Sequence, residues 1–185
     1  MVFAMNFVDR RRAVGAALAA GAIAIAINTF ALKAADWVPL VTAKGGLLRL
    51  ITPWFSPILK ATGVASAWRS AGAPAPNLPS FQMGFHVIVG LAMAVVYAFS
   101  LEPLLPGRPW LKGAAYALGV WVFNAAVVLP VTGEGFAGSA HLTLAGMVWF
   151  AAAHTLFFVS LAILYSLFAF PRFVGSGTHA GIGDA

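Results

Sequence analysis

His86 and Tyr97, near the middle of the chain, recur as His154 and Tyr165 near its end, and the same offset carries Pro103 onto Pro171. The histidine and tyrosine of each pair are close to three helical turns apart, so they share one helix face at a separation of ~16.5 Å. Two histidines at one depth on symmetry-related parallel helices would supply both axial ligands of a bis-histidyl haem b. Gly90, one turn beyond His86, leaves room for a macrocycle, whereas Phe158 fills the matching place beside His154. Depth argues the other way. If Pro103 and Pro171 mark the water side, each histidine lies about 25 Å back. That is near the far edge of a ~30 Å hydrocarbon core, where a neutral or snorkelling imidazole costs little. We therefore expect His86 and His154 to be interfacial or inter-helix hydrogen-bonding groups, with Tyr97 and Tyr165 as repeat-related interfacial residues. Haem is the alternative, and a proton or metal role the remainder.

A second constellation is charged. Lys44 in VTAKG and Glu134 in VTGEG occupy equivalent places, which predicts an ion pair across a pseudo-axis. Structurally it would pin two loops together; functionally it could line the mouth of a solute path. Asn28 and Asn124 are amides inside apolar runs, where such groups usually bond across helices. Asp36 and Glu102 read as interfacial. His141 follows a Gly-rich loop without the Lys-Ser/Thr signature of a phosphate cradle, and His179 lies in a polar tail. The five acidic residues are dispersed and there is no cysteine, so no nucleophile–base–orienter set and no thiolate site is in view. We expect no catalytic residue and no metal ligand.

These residues must be positioned by helices in lipid. Hydrophobic residues make up 61% of the chain and charged ones 9%, against about 25% charged in soluble domains. The net charge of +6 does not point to nucleic acid. Its one basic run, Arg10–Arg12, abuts an apolar stretch, and the other basic residues are scattered near predicted helix ends. Four spans are predicted: 13–32, 82–101, 111–129 and 147–170, each near the ~20 residues a bilayer requires. The Arg triplet before an Ala-rich stretch also resembles a signal peptide; we read it as a retained helix. Pro103, Pro106 and Pro109 predict a tight hairpin, with Pro130 and Pro171 closing spans three and four. Between the first two spans, Pro53 and Pro57 should interrupt GLLRLITPWFSPILKATG. That predicts a short amphipathic segment among the headgroups, with Trp54 at the interface and Arg49 and Lys60 on phosphates. Residues 71–79 read as a Pro-rich linker.

Duplication follows from an ordered series of matches. GAALAAG (Gly15–Gly21) aligns with GAAYALG (Gly113–Gly119), VPLVTAKG with LPVTGEG, and then come the His-Tyr-Pro matches. Small residues four apart (Gly15 and Ala19, Ala17 and Gly21, Ala115 and Gly119) are expected at helix–helix contacts. The predicted fold is a single all-α integral membrane domain over 1–185. It comprises two parallel-related helical hairpins (13–103 and 111–171), an interfacial segment, and a disordered tail at 172–185.

The Gly/Ala-rich first and third helices, and the pattern from His86 through Gly90 to Tyr97, resemble the YagU-like and related families of four-helix bacterial inner-membrane proteins. The fourth helix departs from the pattern at Phe158. The resemblance implies fold more than activity. With the Arg triplet beside the first helix, both termini are expected to be cytoplasmic. The expected role is a non-enzymatic accessory or scaffolding subunit, embedded in lipid as part of a larger complex or homo-oligomer. The alternatives are a bis-histidyl haem b electron carrier and a small-solute channel or transporter acting as an oligomer.

Overall fold

A computed structural model of the chain describes residues 7–38, 40 and 46–170. Four helices are long and apolar enough to cross a membrane. Helix α1 (Phe7–Trp37) is followed by two shorter helices, α2 (Gly46–Ala61) and α3 (Val64–Ser70). Then come α4 (Pro79–Leu104), α5 (Pro109–Val131) and α6 (Leu144–Ala169). Among the described residues there is no strand. Pro79 and Pro109 each sit at the start of their helix, where the missing N–H has no intrahelical acceptor to lose. Thr143 caps α6 by accepting from the Gly146 N–H at 3.1 Å.

Pairings fix the directions. Gly21 of α1 faces Ala94 and Leu91 of α4, while Ile25 faces Gly90, so α1 and α4 run antiparallel. The Asn28 amide donates to the Ala153 carbonyl (2.8 Å) and the Trp149 indole N–H to the Ala31 carbonyl (2.9 Å), so α1 and α6 are antiparallel too. Helix α6 also packs along α5, and α5 meets α4 chiefly near their hairpin. The result is an up-down-up-down bundle in which α4 and α6 lie on one diagonal and α1 and α5 on the other. The core is seeded by small residues of α1: Ala17, Ala20 and Ala24 have no exposed surface. Their methyls let α4 and α6 come close, and Phe157, Phe158 and Leu161 of α6 fill the volume where the backbones separate.

Both proline-closed ends differ from expectation. Helices α4 and α5 run through Pro103 and Pro130, and each widens into a π-helical stretch just before, at Tyr97–Leu101 and Asn124–Val128. A proline ring clashes with the carbonyl four residues back; opening the helix to i→i+5 bonding relieves the clash and lets the last turn form. Pro53 and Pro57 likewise fail to interrupt α2, which is one helix of 16 residues. At ~24 Å it is still too short to cross. Pro171 and the tail lie outside the described residues.

Candidate functional site

The end of the bundle holding the α4–α5 hairpin contains a buried polar network. Tyr97 is fully buried, and its hydroxyl donates to Glu102 Oε2 at 2.5 Å. Lys112 donates to Glu102 Oε1 at 2.7 Å and to the Glu102 carbonyl at 3.0 Å. The Lys112 and Glu102 side chains are only 11% and 14% exposed. The π turn makes this arrangement. Five residues apart on an α-helix, Tyr97 and Glu102 would point about 140° away from each other; here the Glu102 N–H bonds the Tyr97 carbonyl and the side chains converge. Around Tyr97 stand Tyr165 (centroids 5.7 Å, edge-on) and Tyr116 (6.2 Å, stacked), with Phe158 4.4 Å from Tyr116. Glu102, Tyr97 and Tyr165 thus turn their side chains into the bundle, toward its hairpin end. With both carboxylate oxygens holding donors, the group is an acceptor locked in place, and its effect is to staple α4 to α5.

The histidines lie toward the opposite end. By register against α1, His86 sits level with Thr29 and His154 with Ile27, so their depths agree within about one turn, ~5 Å. His154 Nδ1 lies 2.8 Å from the Phe150 carbonyl. A carbonyl only accepts, so Nδ1 carries the proton and Nε2 keeps its lone pair, the tautomer that a metal-bound histidine uses. His86 Nε2 is sealed from solvent and has no hydrogen-bond partner among the described residues.

That pair has the chemistry of two axial ligands, and the packing one turn away is close. The space above Gly90 is taken: a methyl there would sit 2.6 Å from Ile25 Cγ1 and 3.7 Å from Phe157 Cζ. Phe158 is itself in the core, against Phe157 and Tyr116. Among the described residues, no three His, Cys, Asp or Glu side chains gather as a metal site.

The loop after α5 holds Glu134, one member of the other expected pair. Lys44 lies outside the described residues. Glu134 is buried, and its Oε2 is 2.8 Å from Nδ1 of the exposed His141. Sequence reasoning gave His141 no role; the signal it offered was a lone histidine after the Gly-rich loop containing Glu134. Asn28 makes the cross-helix bond expected of it, whereas Asn124 opens the second π-helical stretch. No family model, no curated protein and no solved structure matches this chain.

Proposed function

We propose that this protein is a non-enzymatic, multi-pass subunit of the bacterial inner membrane, a compact scaffold within a larger complex or homo-oligomer. The observation that carries the reading is direct packing inside with apolar surface outside. Interior glycines touch neighbouring helices, as Gly113 does at the Phe158 carbonyl. Large apolar residues such as Ile88, Leu118 and Val148 are more than half exposed on the spanning helices. Such a bundle has little with which to line a polar path. Two similar hairpins remain our reading of its ancestry, supported by the diagonal α4–α6 pairing and the Tyr97–Tyr165 contact. The YagU-like likeness rests on sequence pattern alone, and cytoplasmic termini rest on the Arg10–Arg12 run beside α1.

The test is reconstitution. Purified in mild detergent, the protein should migrate as a defined assembly heavier than one chain, and liposomes containing it should pass small solutes no faster than empty ones. Flux that falls on Glu134→Gln would replace this reading with the channel. A second reading, a haem carrier, is favoured by one observation, the matched imidazoles of His86 and His154. It requires Ile25 and Phe157 to move aside.

A further inference from the structure

Helices α2 and α3 form an arm outside the bundle, and its surface is unlike the rest. Both attachments, after Trp37 and before Pro79, are at the same end of the bundle because α1 and α4 are antiparallel. Helix α2 approaches α5 at Asn124–Val128, in the last turns of that spanning helix. The arm is thereby held at the level where the spans leave the hydrocarbon. Helical register puts Ile51, Trp54, Phe55, Ile58 and Leu59 on one half of α2, and Thr52, Ser56 and Lys60 on the other. Most of the apolar half is uncovered: Trp54 is 75% exposed, Ile58 57% and Phe55 54%. Pro53 and Pro57, one turn apart, fall with the polar half, where their missing N–H groups disturb no apolar contact. In α3, Trp68 and Arg69 are exposed as well, and the Trp68 indole is aimed by its bond to the Pro74 carbonyl (2.9 Å).

Charge identifies the occupant. Between Asp36 and Glu102 the sequence has no acidic residue, while the connection from Val38 to Leu78 carries Lys44, Arg49, Lys60 and Arg69. We infer that the α2–α3 arm is a docking surface for anionic phospholipid, with Trp54, Phe55 and Ile58 set among the upper acyl chains and Lys60 and Arg69 on the headgroup phosphates. This deepens the membrane reading given above and rests on it. A purely apolar helix would enter any bilayer. Lys60 on the polar half of α2 and Arg69 on α3, with no acid between them, favour a negative surface, and do so over no more than a Debye length.

The chain has no cysteine, so single nitroxide labels are clean probes. Phe55→Cys, Ser56→Cys and, as reference, Val122→Cys on the outer face of α5 are labelled in the full chain. Each is reconstituted in phosphatidylcholine vesicles with and without phosphatidylglycerol. Collision with oxygen, concentrated in the bilayer, is compared with collision with a soluble nickel chelate. With phosphatidylglycerol, residue 55 should favour oxygen and residue 56 nickel. In phosphatidylcholine alone, or in high salt, the contrast should fall. Adding Lys60→Gln and Arg69→Gln should lower the docked-to-free ratio roughly fivefold per charge removed, and Lys60→Arg should restore it. The same contrast in both lipids overturns the anionic preference. A residue 55 label shielded from both reagents in every vesicle means that protein covers the face, which also overturns the inference. Val122 open to nickel would overturn the membrane reading itself.

Discussion

Gly21 and Gly119 hold equivalent places in the two Gly/Ala-rich segments, yet only the first is in a helix contact. A methyl on Gly21 would lie 2.7 Å from Ala94 Cβ, while nothing stands within 4 Å of Gly119. The neighbouring pair is reversed: Gly15 is open, and Gly113 would put a methyl 2.6 Å from the Phe158 carbonyl. Each half thus has two ridges of small residues and buries a different one. Ala17 with Gly21 faces inward on α1, and Gly113 with Ala117 faces inward on α5; Gly15 with Ala19 and Ala115 with Gly119 face outward. A local motif offers two ridges, and the neighbouring helices decide which is used. Helix α1 has close neighbours on two sides, α4 and α6, whereas α5 has one along its length and meets α4 chiefly at the hairpin.

The sharpest test of that difference is where the two halves join. Lys112→Ala leaves the largely buried Glu102 carboxylate without its cation, and should cost about 3 kcal/mol or more, read as a fall in Tm in a fixed detergent. If the two halves were held by interior packing alone, Tm would barely move. Next come the buried glycines. Gly113→Ala and Gly21→Ala each force a methyl into a neighbouring helix and should cost about 1–3 kcal/mol. Gly113 should be the worse, because its obstacle is backbone while that of Gly21 is a side-chain methyl. The open partners should behave oppositely: Gly15→Ala and Gly119→Ala should stabilise by up to about 1 kcal/mol through reduced unfolded-state entropy. Equal effects at all four positions would erase the asymmetry. Smallest is the amide comparison. Asn28→Ala loses the bond to Ala153, about 0.6 kcal/mol, and Asn124→Ala should change Tm less.

The four spans were legible because a run of about 20 apolar residues finds a suitable solvent in the bilayer and hardly anywhere else. Their ends were less so: a proline reads as a stop, but Pro103 and Pro130 sit one residue before the ends of helices that widen to admit them. The same widening hid the network at the hairpin. Tyr97 and Glu102 belong to different faces in α-helical register, and no pattern search at three or four residues brings them together. Glu102 and Lys112 flank a hairpin with Pro103, Pro106 and Pro109 and carry opposite charge, so that contact was available to a reading that folded the hairpin first. The matched depth of His86 and His154 was legible from spacing alone. Whether Gly90 faced open space was not, because Ile25 comes from a helix some sixty residues earlier in the chain.

We propose a packed scaffold rather than a cofactor carrier, and the experiment to make first is a visible spectrum of the purified protein, oxidised and then reduced with dithionite. We predict a colourless protein in both states. A sharp α-band on reduction, lost in His86→Ala and in His154→Ala, would contradict the account and make the two imidazoles axial ligands.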